Sequence, residues 1–466
     1  MTAAMAIATI DPATGETLET FEALDPAGIE IRLARAASAF EVHRRTGFAE
    51  RAALLRAAAD LLSAEREADA ALLTLEMGKP LAQALAEVDK CARAMRWYAE
   101  HAEALLADEH PDPADVADSG GSAAHVRYRP LGPVLAVMPW NFPLWQVVRF
   151  AAPALMAGNT ALLKHASNVP RTALLLEDLF TRAGYPTGCF QTLLVGSGAI
   201  EAVLRDPRVA AVTLTGSEGA GRSVAAIAGD EIKKSVLELG GSDPFLVLPS
   251  ADVRRAAEVA VTARVQNNGQ SCIAAKRFIV HADVYEEFAA AFVAGMSALR
   301  VGDPMAAGTD VGPLATESGR ADLEELVDDA LRHGAKAQCG GRRPEDRPAG
   351  WFYEPTVLTG ITPEMRIHRE ECFGPVATLY RVDSLEQAVA LANDSSFGLS
   401  SNAWTTDPQE QELLERELQA GAVYFNGMTA SHPAFPFGGV KRSGYGRELS
   451  AQGIREFCNV TTVWYG

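Results

Sequence analysis

Short apolar runs alternate with helix-forming stretches from about residue 131 to residue 426. The first series contains GPVLAVMPW, NTALLKHA, CFQTLLVG and VAAVTLTGS, and a second series begins near SDPFLVLP (242–249) and ends near GAVYFN (421–426). Strands that alternate with helices are typical of βαβ units, which build parallel sheets. The pattern therefore predicts two α/β domains.

The region before these runs has a different pattern. From Pro26 to about Ala107 the chain is rich in Ala, Leu, Glu and Arg, with apolar residues at three- and four-residue spacing, such as Leu54, Leu55 and Ala58. This spacing predicts several long amphipathic helices. The segment HPDPADVADSGGSAAH (110–125) interrupts the pattern with Pro, Asp and Gly, which predicts a loop or a domain boundary.

The charge balance argues against two classes of partner. The chain has 466 residues, with 42 Lys and Arg against 60 Asp and Glu, and a formal net charge of −18. A field of this sign repels phosphate backbones and anionic lipid headgroups, so we expect neither nucleic acid nor a membrane as partner.

The cysteines and the N-terminus indicate a cellular compartment. Six cysteines are scattered without a CxxC pair, which predicts a reduced, cytoplasmic chain with no metal site. The N-terminus lacks the basic region of a signal peptide, and no apolar stretch reaches the length of a membrane span.

Two segments place polar groups after predicted strands. In PWNFPLWQVVRF (139–150), Asn141 stands in a Pro-rich turn from strand to helix, where its amide could donate to a developing oxyanion or simply cap the helix. In TLTGSEGAGRSV (213–224), a strand leads through a Gly-rich turn into a helix, where backbone N–H groups could bind a diphosphate. Gly-rich turns before helices are common, so the second segment alone identifies no cofactor.

A carboxylate and a thiol stand in two further Gly-bounded segments. Glu238 precedes a Gly pair in VLELGGSDPFLVL (236–248), and Cys272 lies in NNGQSCIAAKRF (267–278). A cysteine attacks as the thiolate, and a carboxylate can accept the proton of a thiol or of water. The alternative for Cys272 is a buried structural cysteine.

The order of these motifs is more specific than any one of them. PWNFP, Lys164, TGSxxxG, ELGG, GQSC, EECFGPV (370–376) and PFGGVKRSGYGRE (436–448) follow one another along the chain. In this order the sequence resembles the aldehyde dehydrogenase superfamily from about Ile10 to Tyr465.

The resemblance implies an α/β, aldehyde dehydrogenase-like fold of two Rossmann-like α/β domains and a small β oligomerisation element. It predicts a cofactor-binding domain from residues 1–110 and 131–238, a catalytic domain from 239–434, and a bridging and oligomerisation element from 111–130 and 435–466. Pairing of exposed strand edges across subunits would give a homodimer or a homotetramer.

The resemblance also implies catalytic roles at the matching positions. Cys272 would be the nucleophile, Glu238 the general base, and Asn141 a donor of the oxyanion hole together with the backbone N–H of Cys272. The thiolate would add to an aldehyde, the alkoxide would expel hydride to a nicotinamide, and a water activated by Glu238 would hydrolyse the thioester. Acyl-transfer relatives that use coenzyme A commonly lack this Glu, so a free acid is the expected product.

Cofactor contacts are implied for a larger set of residues: Trp140, Lys164, Ser167, Gly216, Ser217, Gly221, Glu371 and Phe373. Members that prefer NAD usually have a Glu at the position of Ser167, where it binds the ribose 2′-OH. Here Lys164 and Ser167 can accept a 2′-phosphate that an acidic side chain would repel. NADP is therefore favoured, with NAD as the alternative.

The substrate is implied by a narrower resemblance. The ending KHASN (164–168) resembles a bacterial branch of succinate-semialdehyde dehydrogenases, in which positions matching Arg149 and Ser431 bind the substrate carboxylate. Many of these enzymes have a second Arg where this sequence has Gln266. The alternative for Arg149 is a solvated or inter-subunit salt bridge, which would favour an enzyme for uncharged aldehydes, and the alternative for Ser431 is a plain loop residue. A rival of another class is a catalytically silent scaffold with the same fold.

Overall fold

The two predicted series of strands form two separate sheets in the computed structural model, which describes residues 6–347 and 349–466. Residues 1–5 of the predicted cofactor-binding domain lie outside this range. Strands and helices are labelled β1–β17 and α1–α16 in chain order. Among the described residues, no helix is both long and apolar enough to cross a membrane.

The N-terminal region is helical, as the apolar spacing predicts. It contains β1 (Ile7–Ile10), β2 (Thr17–Phe21), α1 (Pro26–His43), α2 (Phe48–Ala64), α3 (Arg66–Met77) and α4 (Leu81–Leu105). Helix α1 begins where Asp25 accepts a hydrogen bond from the backbone N–H of Gly28 and Pro26 opens the first turn. Helices α2 and α4 pack together through buried side chains such as Leu55 and Met95.

The predicted loop at 110–125 contains a short helix. The segment provides α5 (Pro113–Asp118), followed by β3 (Ala123–Pro130). Asp112 accepts a hydrogen bond from the backbone N–H of Ala114, and Pro113 fits the first helical turn, where its missing N–H costs nothing. The same Pro and Asp that indicate a loop therefore start a helix here.

The first sheet has the order β16-β8-β7-β4-β5-β6 and is parallel except for β16. Its parallel strands and the helices between them are β4 (Pro133–Met138), α6 (Trp145–Ala157), β5 (Thr160–His165), α7 (Pro170–Arg182), β6 (Phe190–Thr192), α8 (Ile200–Arg205), β7 (Ala211–Thr215), α9 (Glu218–Asp230) and β8 (Lys234–Glu238). The inner strands β4, β5 and β7 are buried along almost their whole length because helices cover both faces of the sheet.

The second sheet has the order β11-β12-β13-β10-β9-β14-β15 and is parallel except for β11. Its elements are β9 (Pro244–Val247), α10 (Val253–Val265), β10 (Arg277–His281), α11 (Ala282–Ser297), α12 (Glu317–Arg332), β11 (Lys336–Cys339), β12 (Thr356–Thr359), α13 (Arg366–Arg369), β13 (Val376–Val382), α14 (Leu385–Asn393), β14 (Ser401–Trp404), α15 (Pro408–Glu417) and β15 (Val423–Phe425). The two sheets confirm the predicted α/β class.

The C-terminal segment divides between two sheets. It contains β16 (Gly444–Tyr445), α16 (Ser450–Glu456) and β17 (Cys458–Tyr465). Strand β17 pairs antiparallel with β3 over its whole length, and the predicted bridging and oligomerisation role of this ribbon stays a prediction. Strand β16 instead pairs with β8, so Gly444 lies opposite Glu238. Part of the segment 435–466 therefore belongs to the first sheet.

Candidate active site

The candidate site lies where neighbouring strands of the first sheet end. Asn141 follows β4, Gly216 follows β7, and Glu238 is the last residue of β8. Strand β4 has β5, the next strand in the chain, on one side and β7 on the other. The strand order therefore reverses at β4, and open α/β sheets bind ligands at such a switch point.

A cavity of about 290 Å³ opens at this edge, and it is called the cofactor-side cavity below. Its lining includes Trp140, Asn141, Thr215, Gly216, Ser217, Leu239, Gly240, Cys272, Glu371 and Phe373. The fold thus brings the predicted nucleophile and the predicted oxyanion donor together with several predicted cofactor residues.

The turn before Cys272 depends on residues that tolerate left-handed backbone. Asn267 and Asn268 have φ values of 56° and 57°, and Gly269 follows with φ of 74°. A Cβ on Gly269 would lie 2.2 Å from the carbonyl oxygen of Gly374. The sequence NNG therefore fits both the backbone conformation and the close approach of the ECFGP loop.

Two buried cations brace the same loop. The Lys276 ammonium donates to the carbonyls of Ser271 and Cys272, each at 2.9 Å, and lies 3.3 Å from the carboxylate of Glu371. Arg264 donates to the carbonyls of Gly269 and Ala275. These contacts hold the nucleophile loop rigidly against the second sheet.

The thiol of Cys272 needs a base before it can attack. Burial raises its pKa to about 12, although the positive charges of Arg149 and Lys276 act in the opposite direction. The thiol form is therefore dominant at neutral pH in the absence of substrate and cofactor.

Asn141 links the PWNFP turn to the nucleophile loop. Its Nδ2 donates to the carbonyl of Gln270 at 3.1 Å, and Asn267 donates to the backbone carbonyl of Asn141 at 2.6 Å. The amide is 4% exposed and borders the cofactor-side cavity. Because an NH₂ group has two protons, one remains for a further acceptor.

Glu238 faces the C-terminal segment. A Cβ on Gly438, which has φ of 151°, would lie 2.7 Å from the Glu238 Oε1 atom. Burial, and next the charge of Glu448, raise the pKa of the Glu238 carboxyl well above its usual range, so its anion is a strong proton acceptor. No hydrogen bond joins Glu238 to Cys272 in the described chain, and the predicted role of general base stays a prediction.

Arg149 forms a buried ion pair with Glu448. Its Nη2 also donates to the hydroxyl of Thr215 at 3.3 Å, and its guanidinium lies over the ring of Phe437 at 4.5 Å. The pair is buried within one chain, so it is neither the solvated nor the inter-subunit salt bridge that the sequence left open as the alternative role. A contact between Arg149 and a substrate carboxylate stays a prediction, and it would have to compete with Glu448.

Glu371 is held at the mouth of the cofactor-side cavity. The backbone N–H of Gly241 donates to its Oε1 at 3.1 Å. A Cβ on Gly240 would lie 2.5 Å from the other oxygen, so only glycine allows the carboxylate this close to the ELGG turn. Beside it, Phe373 packs edge-on against Trp140 with ring centroids 5.8 Å apart.

The Gly-rich turn contributes through Gly216 and Ser217. Ser217 caps α9, where its hydroxyl accepts from the backbone N–H of Ala220, and both residues line the cavity. Gly221 lies inside α9, and a Cβ there would approach within 2.6 Å of the Leu239 side chain. Packing accounts for this glycine, and its contact with a diphosphate stays a prediction.

Lys164 and Ser167 lie at the end of β5, the next strand beside β4. Burial lowers the pKa of Lys164, which has no carboxylate within ion-pair distance in residues 6–347 and 349–466. Ser167 is half-buried, and neither residue lines the cofactor-side cavity. Their selection of a 2′-phosphate stays a prediction.

Ser431 lies elsewhere, in contact with α4 and α6. Its hydroxyl oxygen accepts from the Lys90 ammonium at 2.7 Å and from the Trp145 indole at 3.1 Å. Nothing in the sequence marks Lys90, which lies in a helix among many charged residues. The sequence also missed Lys276 and the pairing partner Glu448, although both lie in or beside quoted motifs.

The groups that bind metals in proteins do not gather in the described ranges: no three His, Cys, Asp or Glu side chains come close enough to share an ion.

Comparison with known proteins identifies the family of the chain. Residues 1–463 match the model of the "Aldehyde dehydrogenase family". Succinate-semialdehyde dehydrogenase [NADP(+)] 1 of Mycobacterium tuberculosis is 64% identical over 460 residues, covering 99% of this chain and 100% of that protein. Succinate-semialdehyde dehydrogenase [NADP(+)] of Mycobacterium leprae is 61% identical over 460 residues, with the same coverage.

A solved structure gives the same result for the fold. The succinic semialdehyde dehydrogenase of Streptococcus pyogenes, solved in complex with NADP+, superposes with a TM-score of 0.94 at 36% identity and covers 98% of this chain and 99% of that chain. Family match, sequence identity and fold agree over nearly the whole length. The chain therefore belongs to the aldehyde dehydrogenase family.

Proposed function

We propose that this protein oxidises succinate semialdehyde to succinate with NADP as hydride acceptor. The observation that carries the proposal is the cofactor-side cavity, which brings Cys272 and Asn141 together beside Glu371 and Phe373. The mycobacterial relatives, at 61% and 64% identity, have the same named activity.

The residues of the cavity fit a nicotinamide dinucleotide. The missing Cβ of Gly240 makes room beside Glu371, and the Trp140 and Phe373 rings provide flat apolar contact. The Ser217 turn presents the N-terminus of α9, which favours a diphosphate. Lys164, which has no carboxylate partner among the residues that the structure describes, offers its cation to a 2′-phosphate. NAD is the alternative cofactor.

Cys272 forms the covalent intermediate. The thiol proton of Cys272 is released to solvent water, and the thiolate adds to the aldehyde carbon. The resulting alkoxide accepts a hydrogen bond from the free N–H of Asn141, an interaction typically worth about 3 kcal/mol in such sites. When bound, NADP accepts the hydride that leaves this carbon, and a thioester on Cys272 remains.

Glu238 serves the hydrolytic half of the reaction. Its carboxylate accepts a proton from the water that attacks the thioester, and Cys272 leaves as the thiolate while succinate is released. The raised pKa of Glu238 supports this role because a more basic carboxylate is a better proton acceptor. The carboxylate must turn from Gly438 toward the thioester to do so.

The pairing of Arg149 with Glu448 supports a second candidate. If no other cation binds the distal carboxylate, uncharged aldehydes would be oxidised as well as succinate semialdehyde. This broad-specificity activity uses the same Cys272 chemistry.

We propose further that the protein acts in the cytoplasm as a homodimer or homotetramer. The β3–β17 ribbon supports the assembly, because Val460, Trp464 and Tyr465 expose apolar surface along it.

Steady-state assays with succinate semialdehyde and butanal, each with NADP and NAD, test the proposed function. We expect kcat/KM to be highest for succinate semialdehyde with NADP, and Cys272→Ala to abolish oxidation. Equal kcat/KM for both aldehydes would favour the broad-specificity candidate, and turnover by Cys272→Ala would overturn the mechanism.

A further inference from the structure

A second cavity, of about 490 Å³, borders the same two loops and is called the α4 cavity below. Phe142 lines it from the PWNFP turn, directly after Asn141, and Gln266 and Asn267 line it from the turn that leads to Cys272. Both loops thus contribute to both cavities. The cofactor-side cavity contains several predicted cofactor residues and the α4 cavity contains none of them, which makes the α4 cavity the candidate site for the body of the substrate.

Lys90 provides the α4 cavity with a cation. Its ammonium donates to Ser431 at 2.7 Å and lies over the Trp145 indole at 4.2 Å. Throughout the described parts of the chain, no carboxylate stands within ion-pair distance of it. A hydroxyl and an aromatic face hold the side chain in place but leave its charge without a counter-ion.

The polar atoms around Lys90 have protons to donate and lack an acceptor. The Ser431 oxygen already accepts from Lys90 and from the Trp145 N–H, so its own O–H must point to another group. The Gln266 Nε2 is buried and has no partner among the described residues. An ammonium has three protons, and only one of them meets Ser431. These groups all donate hydrogen bonds, so the ligand that fits them is a carboxylate, which only accepts.

The other charges near the α4 cavity are already engaged. Glu87 pairs with Lys79 and accepts from the backbone N–H groups of Leu144 and Trp145. Asp310 accepts a hydrogen bond from the backbone N–H of Arg300 and forms an ion pair with its guanidinium. Since Arg149 pairs with Glu448, Lys90 is the cation in this region that a substrate anion would meet without displacing a protein carboxylate.

Lys90 carries its charge under ordinary assay conditions. Burial lowers its pKa to about 8, and the nearby charges act in both directions, Cys91 and Glu87 raising it and Arg149 and Arg93 lowering it. In most molecules the Lys90 ammonium is therefore protonated at pH 7.

We propose that Lys90, with Ser431 and Gln266, binds the distal carboxylate of the substrate. The inference rests on the proposed function, because it assumes an aldehyde with an anionic tail. It assigns to Lys90 the charge that the sequence located at Arg149, and it gives Gln266 a role as donor in place of the second Arg of related enzymes.

The test compares kcat/KM for succinate semialdehyde with kcat/KM for butanal in each preparation, so that the ratio cancels any loss of folded enzyme. We expect Lys90→Met to lower this ratio by at least about tenfold, because a hydrogen-bonded charge partner is lost. Lys90→Arg should keep most of the ratio, and Lys336→Met, which removes an exposed lysine on β11, should leave it unchanged. Gln266→Leu and Ser431→Ala should each lower it by about threefold or more.

The outcomes separate the two proposals. If the wild-type ratio is near one, the proposed function fails. If the wild-type ratio is high and Lys90→Met retains it, the proposed function stands and the role of Lys90 is overturned. A fall in the ratio for Arg149→Met, without one for Lys90→Met, would return the carboxylate to Arg149.

Discussion

Two buried ion pairs flank helix α6, and they differ in how completely their charges are satisfied. Lys79 and Glu87 form an ion pair at the start of the helix, and Glu87 also accepts hydrogen bonds from the backbone N–H groups of Leu144 and Trp145, each at 2.9 Å. The second ion pair joins Glu448 to Arg149, which lies about one turn further along α6. There, neither Glu448 oxygen has a well-aligned hydrogen bond within the described residues.

The difference indicates two functions for the same kind of pair. The Lys79–Glu87 pair caps a helix and fixes the turn that contains Asn141, so its role is structural. The Arg149–Glu448 pair lies beside Glu238, whose carboxyl oxygens also have no hydrogen-bond partner in residues 6–347 and 349–466. Its two charges shift the pKa of Glu238 in opposite directions. The second pair therefore contributes to the pKa of Glu238, for which burial is the largest cause.

Removal of the charge on Glu87 should give the largest change in stability. Lys79 is fully buried, and Glu87→Gln would leave its ammonium without a counter-ion while the amide oxygen still faces the helix N-terminus. We expect a loss of about 3–5 kcal/mol in the free energy of unfolding, measured by urea denaturation. Lys79→Met combined with Glu87→Gln should recover part of the loss. A cost below about 1 kcal/mol for Glu87→Gln would contradict the structural role.

The Arg149–Glu448 pair should give a smaller effect that appears in the pH profile. In the proposed mechanism Glu238 acts as the anion, so we expect hydrolysis to rise with pH through its pKa. Glu448→Gln removes a negative neighbour and should move this rise to lower pH, whereas Arg149→Met removes a positive neighbour and should move it to higher pH, each by about one pH unit.

The measurement for this pair is the pH dependence of acid release after hydride transfer, with butanal as substrate so that no substrate carboxylate is involved. Opposite shifts for the two variants are the expected result. Shifts in the same direction, or none, would show that the pair does not act on Glu238.

The sequence predicts those parts of the fold that depend on local pattern. The strands β4, β5 and β7 lie in short runs that are rich in apolar residues, and the helices before residue 107 follow an amphipathic spacing. The short helix α5 was missed because Asp112 and Pro113 indicate a loop and a helix start equally well. The β16 pairing was also missed, since two residues are too few to produce a strand pattern.

The candidate site also has parts that a local sequence pattern predicts and parts that it does not. Cys272, Asn141 and Glu371 stand in motifs of fixed order, and the fold brings them to one cavity. The residues that determine the charge around this site come from distant parts of the sequence. Lys90 and Ser431 are 341 positions apart. No local pattern records such a contact, and only the packing of α4 and α6 brings the two side chains together.

The most direct test of the account is the covalent intermediate itself. Glu238→Gln should form the thioester and fail to hydrolyse it, so the variant mixed with NADP and succinate semialdehyde, then quenched in acid, should retain one acyl group. Peptide mass spectrometry should locate one succinyl group on Cys272, and a burst of NADPH should match it in amount, while Cys272→Ala with Glu238→Gln should show neither. Unmodified Cys272 after a full burst, or a succinyl group on another cysteine, would contradict the roles assigned to both residues.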